Sequence, residues 1–328
     1  MSRHHLIRPP HSLMGAEPCD DLTRLDADVA LYGVPWDAGS LSMLLSPGQR
    51  FGPGAVRKNN VTLFGCAADA RIIDLDTGQE RLQGVRMQDM GDVDLLPALG
   101  VEENFRRITQ VAQAIAAKGA LPIAVGGDHS ISFPAGRGAI AAFDEVDIVH
   151  FDAHADFEDE IGGARYTHGS NLRRLSELPN VRNITALGLR HVWRETYDPM
   201  LEYGVRFASA RTLFRERPAD VVDRLVPKAD QIYVSIDIDV LDAPLVPGTC
   251  LPEPGGLTYN MLIEALAAVA RKGRIAGVDI VEINPMNDIG SGYNMAARVS
   301  SWILFEFLSA IRESADQAPI HPATLTAF

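Results

Sequence analysis

The sequence predicts an α/β fold on a parallel sheet, and two observations carry that reading. From about residue 28 onward, short apolar runs rich in β-branched residues alternate with longer amphipathic segments, the pattern of βαβ units. Three of the apolar runs also end abruptly in polar clusters, as strands do where an open parallel sheet meets its ligand. The strand candidates are 29–34, 121–125, 146–151, 184–188, 231–236 and 275–281. Each is four to eight residues long and nearly continuous in Val, Ile, Leu or Ala, which suits a strand covered on both faces. The helix candidates are 102–118, 211–225, 261–272 and 296–312, where apolar residues recur at spacings of three and four. The Pro/Gly-rich stretches 46–54 and 243–256 are loops between elements, because periodic apolar segments resume at once on both sides. The expected organisation is an N-terminal extension over residues 1–27, partly flexible, and one domain over 28–328.

Composition excludes several function classes. The chain has 328 residues, 46% of them hydrophobic, enough to bury a core without disulfides. Its 43 acidic against 30 basic residues give a net charge of −13, a field that disfavours nucleic-acid phosphates and anionic membranes and favours a small cation. Cys19, Cys66 and Cys250 form no framework and no C-x-x-C pair, which fits a reducing, cytoplasmic setting. No apolar run is long enough for a membrane span. The first residues carry positive charge without an apolar core, unlike a secretion signal; they lack acids, as mitochondrial transit peptides do, but Pro9 and Pro10 oppose an amphipathic helix.

The polar clusters carry the chemistry. They are Gly-Gly-Asp-His-Ser over 126–130, Asp-Ala-His-Ala-Asp over 152–156 and Ser-Ile-Asp-Ile-Asp over 235–239. On an extended chain the alternation sets Asp152, His154 and Asp156 on one side, and Asp237 and Asp239 repeat the device. With His129 the set is two imidazoles and four carboxylates, a nitrogen and oxygen donor set suited to a divalent ion such as Mn²⁺. Four crowded carboxylates repel one another, and two divalent cations offset their four charges. A binuclear site follows. His150 shares the Asp152 face under the same period and is read as a buried neighbour, not a ligand.

These three motifs, in this order and separation, resemble the signatures of the ureohydrolase family, which contains arginase, agmatinase and the guanidino-acid hydrolases. The resemblance extends from Tyr-Gly-Val-Pro over 32–35 and Arg-Phe-Gly-Pro over 50–53, through Pro-Gly-Thr over 247–249, to Val-Glu-Ile-Asn over 281–284. The glycine-rich loops look most like the agmatinase branch. The resemblance implies a three-layer α/β/α domain around a parallel eight-stranded sheet and two Mn²⁺ ions, with Ni²⁺ as rival. Carried over, His129, Asp152, Asp156 and Asp237 hold one ion, and Asp152, His154, Asp237 and Asp239 the other. A metal-bridging hydroxide then attacks the guanidinium carbon and releases urea and an amine. His168 matches the family histidine that serves the leaving nitrogen, Glu282 the glutamate that grips the guanidinium, and Asp128 is read as orienting a ligand or the solvent. Trimers or hexamers are implied, with a paralogous subunit as a further partner.

Three departures bear on the substrate. The loop over 36–49 is longer and more apolar than the agmatinase branch shows; Cys250 and Ala243 stand where Gly and Asp-Pro are usual; and Phe-Glu-Asp-Glu over 157–160 places acids where an arginase would receive an α-carboxylate. Agmatine or a small or alkylated guanidine fits these better than a guanidino acid such as 4-guanidinobutyrate, for which Arg173 and Arg174 are the visible local counter-charges. A single-zinc deacetylase of the same fold is opposed by the complete six-ligand set. A non-catalytic partner or sensor is the reading from a different class.

Overall fold

The structure, a computed structural model, describes residues 5–40, 47–63, 72–289 and 294–315. Its strands are β1 (Leu6–Ile7), β2 (Glu17–Pro18), β3 (Val29–Val34), β4 (Met87–Val93), β5 (Leu121–Gly126), β6 (Val146–Phe151), β7 (Val181–Leu189), β8 (Arg206–Ser209), β9 (Gln231–Asp237) and β10 (Arg274–Val281). All join one sheet. Eight of them run parallel in the order β4-β3-β5-β10-β9-β6-β7-β8, with β1 added antiparallel and β2 parallel to β4. The N-terminal extension expected over residues 1–27 therefore contributes two short strands to the sheet. Its pairing of Leu6 with Val93 and Ile7 with Asp92 covers the edge that β4 would otherwise expose.

Two apolar layers flank the sheet, and the alternation of strand residues assigns them. Val29, Leu31, Ile123, Val125, Val149, Val234 and Ile280 face the layer that packs under helices Gly52–Leu63, Pro218–Leu225, Tyr259–Ala270 and Met295–Ala315. Ala30, Tyr32, Ala124, Ile148 and Tyr233 face the other, under Gly100–Ala117, Ser132–Ala139 and Asn171–Ser176. Burial on both sides is why these strands read as unbroken apolar runs. The expected helix over 211–225 is two helices, Ala210–Arg215 and Pro218–Leu225. Pro218 disfavours helical backbone at Arg217, which is extended at φ −61° and ψ 126°, and itself opens the second helix.

Strand β4 departs most from expectation. Its sequence, Met-Gln-Asp-Met-Gly-Asp-Val, lacks an apolar run because it serves as an anchor for a buried cation. Arg57, 1% exposed, reaches Asp89 with Nε at 2.8 Å and Nη2 at 2.9 Å, and Asp92 with Nη1. Asp89 also accepts the Leu13 N–H at 2.7 Å. One guanidinium thus joins the helix over residues 52–63, the sheet edge and the N-terminal segment.

The order of strands decides where the motifs meet. The clusters near residues 129, 152 and 237, and Glu282, follow β5, β6, β9 and β10, and these four are contiguous in the sheet as β5-β10-β9-β6. Parallel strands deliver all four C-terminal ends to the same edge.

Candidate active site

After β5 the chain turns through Gly126 and Gly127 into Asp128. The Asp128 N–H donates to the Trp36 carbonyl at 2.8 Å, and a Cβ on residue 127 would overlap the Trp36 backbone, so this crossing requires glycine. Asp128 caps the turn His129–Ile131, accepting the Ser130 N–H at 3.0 Å, and its second oxygen accepts the Ser40 N–H at 3.0 Å. Its carboxylate holds two loops together.

The motifs after β6 and β9 are turns, not extended chain, which corrects the reason given for their convergence. Asp152 Oδ1 accepts the His154 N–H at 2.6 Å, and Asp237 Oδ1 accepts the Asp239 N–H at 2.8 Å. In each, the carboxylate folds the chain back on itself, leaving its Oδ2 for the site. Asp156 sits in the left-handed region at φ +48°, and Asn171 Nδ2 donates to its Oδ2 at 2.6 Å.

The side chains assemble into two donor sets. His129 Nδ1 lies 3.0 Å from Asp152 Oδ2, 3.0 Å from Asp156 Oδ2 and 3.1 Å from Asp237 Oδ2. His154 Nδ1 lies 3.0 Å from Asp239 Oδ2 and 3.5 Å from Asp152 Oδ1. Asp152 belongs to both sets, with donor atoms in each within 4.8 Å of one another. The fit to metal rests on unmet demand: His129 Nδ1 and Asp152 Oδ2 are buried and, although 3.0 Å apart, neither has a partner in hydrogen-bonding geometry. The far side of His129 is already organised, since Nε2 meets Ser235 Oγ at 2.9 Å and Ser235 donates to Asp279 at 2.8 Å. Such a relay orients a ligating imidazole and leaves Nδ1 for an ion. Burial pushes Asp237 far above the ordinary carboxylate range and Asp156 up to about 7, with Asp152 adding repulsion to each. A cluster so short of positive charge calls for cations.

His150, set aside on sequence, lies inside the cluster. It stacks on His129 with ring centroids 4.8 Å apart, and its Nε2 is 3.3 Å from Asp152 Oδ2. Burial pushes its pKa down to about 3, so the ring is neutral. The signal was present in its even spacing from Asp152.

A cavity of about 430 Å³ opens over these groups, lined among others by His154, Asp239, His168, Cys250 and Glu282. Glu282 stands just past β10 in the left-handed region at φ +62°. Its Oε1 accepts the His129 N–H at 2.8 Å and its Oε2 accepts from Gln49 Nε2 at 3.0 Å. Burial, and then Asp128, push its pKa up to about 8. Gln49, fully buried, was not singled out in the sequence; nothing marked it beyond its place before the Arg-Phe-Gly-Pro segment. His168 is half-buried on the cavity wall, and burial followed by the nearby His129 and His154 pushes its pKa down to about 4. Cys250 borders the cavity, and burial raises its thiol to about 12. Residues 41–46 of the long apolar loop lie outside the described residues, as does Cys66. Arg173 and Arg174 do not line the cavity: Arg173 stacks over Tyr203 at 4.0 Å and Arg174 pairs with Asp159 at 2.5 Å.

The adjacent strand ends of this three-layer α/β/α fold gather a His/Asp donor cluster, a candidate metal centre at the edge where such sheets bind ligands. Residues 27–309 match the arginase family, and the chain belongs to it. It is 33% identical over 261 residues to an agmatinase of Pyrococcus horikoshii, covering 79% of this chain and 84% of that one. It is also 33% identical over 298 residues to a guanidinopropionase of Pseudomonas aeruginosa, covering 88% and 87%. The structure of the agmatine ureohydrolase of Thermoplasma volcanium superposes with a TM-score of 0.74 at 25% identity, over 96% of this chain and 98% of that one. The protein is an arginase-family hydrolase that acts on C–N bonds of linear amidines. Among the described residues, no helix is long and apolar enough to cross a membrane.

Proposed function

We propose that this chain hydrolyses agmatine or a small or alkylated guanidine to urea and an amine at a binuclear metal centre. The observation that carries the reading is the pair of donor sets sharing Asp152 beneath a cavity that presents Glu282 and, among the described residues, no lysine or arginine. His129, Asp152, Asp156 and Asp237 would hold one ion, and Asp152, His154, Asp237 and Asp239 the other. When bound, a pair of divalent cations supplies a water acidified towards neutrality and offsets the carboxylate charge. Mn²⁺ is the ion we assign, and Ni²⁺ the rival, because His/Asp ligation binds Ni²⁺ more tightly by intrinsic order.

The remaining work falls to the protein's own groups. Glu282 is fixed by the His129 N–H and by Gln49, and its carboxylate, held ionised by the arriving cation, receives the guanidinium N–H groups and orients the carbon over the donor cluster. His168, its ring neutral, faces the same cavity and relays a proton from solvent to the departing nitrogen, which cannot leave as an amide anion. Asp128 acts by anchoring the loops at His129 and Ser40.

The test is urea release by metal-stripped protein reloaded separately with Mn²⁺ and Ni²⁺, against agmatine, methylated guanidines, guanidine, arginine and 4-guanidinobutyrate. Turnover of 4-guanidinobutyrate alone would establish the second reading, a guanidino-acid hydrolase, which the equal identity to guanidinopropionase favours. No urea with either metal would leave a partner or sensor subunit. Glu282→Gln should retain its metals and lose about 10²–10³-fold in kcat/KM, the scale of losing one preorganised electrostatic contact. An unchanged kcat/KM would remove Glu282 from the reaction.

A further inference from the structure

Five carboxylates line the cavity, and four of them, Asp156, Asp237, Asp239 and Glu282, are already engaged in the centre or beside it. The fifth is Glu158. It follows the second donor motif by two residues, and its N–H is tied to the Gly169 carbonyl at 3.1 Å, next to His168. Oε1 accepts from Thr196 Oγ1 at 2.8 Å. Oε2 lies beside Gly169, where an added Cβ would come within 3.3 Å of it. Among the described residues no lysine or arginine forms an ion pair with Glu158, although its neighbour Asp159 has Arg174. The rest of the outer wall is formed by His191 and the apolar Ile161, Val192, Trp193 and Leu251.

A half-buried carboxylate served by one hydroxyl keeps its charge uncompensated, and the surrounding apolar wall raises the value of any cation brought to it. A ligand that enters this cavity guanidinium first brings its other end past this wall. An ammonium there would gain a charge-assisted hydrogen bond, an alkyl end would gain only apolar contact, and a carboxylate would meet a like charge. We propose that Glu158, oriented by Thr196, is a specificity-determining residue that reads the far end of the substrate. It selects guanidino compounds carrying a second cation over those with an alkyl or anionic end. This rests on the guanidine-hydrolysis reading above.

Glu158→Gln is the decisive variant, because the amide oxygen can still accept from Thr196 while the charge is gone. The readout is the ratio of kcat/KM for agmatine to that for n-butylguanidine, which differ chiefly in the terminal charge. The ratio should fall about tenfold, the effect of roughly 1.4 kcal/mol, and the ratio of 4-guanidinobutyrate to n-butylguanidine should rise. A purely structural role would lower all three substrates in parallel, and that result overturns the proposal. Glu253, 3.9 Å from His154 Nε2 and 40% exposed, is the control: a shift of the same ratio in Glu253→Gln but not in Glu158→Gln overturns it too. Calorimetric binding of 1,4-diaminobutane to the metal-loaded protein separates the two claims. If no guanidine yields urea, the hydrolysis reading fails; diamine binding weakened by Glu158→Gln would still support the residue's role, and binding unaffected by it would end that role as well.

Discussion

Asp152→Ala is expected to abolish urea release and to reduce metal content from two ions per chain to at most one. Asp152 is common to both donor sets, with Oδ2 at the His129 side and Oδ1 towards His154. Its removal therefore weakens both positions at once, and it also deletes the acceptor of the His154 N–H that shapes the turn. Ser235→Ala offers the graded comparison. It removes the link between His129 Nε2 and Asp279 while leaving every donor atom in place, and loss of such an outer partner costs about 10–100-fold in metal affinity or activity. Metal analysis after gel filtration, together with urea assay, checks both. An Asp152→Ala protein that keeps two ions and full turnover would refute the shared-ligand assignment.

Metal loading should also appear as stability. Ions that bind only the folded chain stabilise it by an amount that grows with concentration, about 2.7 kcal/mol at one hundred times Kd. The metal-stripped protein, with Asp152, Asp156, Asp237 and Asp239 buried together, is expected to melt at a lower temperature than the loaded protein.

The strands that carry the site were legible because burial on both faces makes them apolar throughout, and a parallel sheet puts their C-terminal ends together. The convergence of the donor motifs was also legible, although the stated reason was wrong. Period-two alternation was invoked for Asp152, His154 and Asp156, whereas the residues meet through carboxylate-capped turns and a left-handed backbone at Asp156. Both geometries bring alternate residues to one side, which is why the spacing survived the change of cause. Gln49 illustrates what sequence withholds. It touches Glu282 across 233 positions, and neither periodicity nor local chemistry reports a contact at that separation. Strands β4 and β8 were missed for different reasons. β8 is a four-residue edge, while β4 spends its side chains on holding Arg57 rather than on an apolar face.

That buried guanidinium makes the second large prediction. Arg57→Met should destabilise the folded chain by about 3–5 kcal/mol, the cost of leaving a buried carboxylate without its cation. Asp89 and Asp92 hold the guanidinium charged against a burial that alone would lower its pKa. With Arg57 gone, Asp89 keeps, among the described residues, the N–H groups of Leu13 and Gly91. Adding Asp89→Asn should restore part of the loss, because the amide oxygen still accepts from Leu13 and carries no charge to strand. Urea denaturation of the single and double variants measures this, with the slope of the transition as a check on two-state behaviour. A loss under about 1 kcal/mol in Arg57→Met would mean that water replaces the guanidinium and the edge is not a sealed anchor. The effect should be confined to stability. Arg57 reaches the sheet edge at β4, two strands from β5, so the molecules that remain folded should keep their metal content and turnover per folded chain.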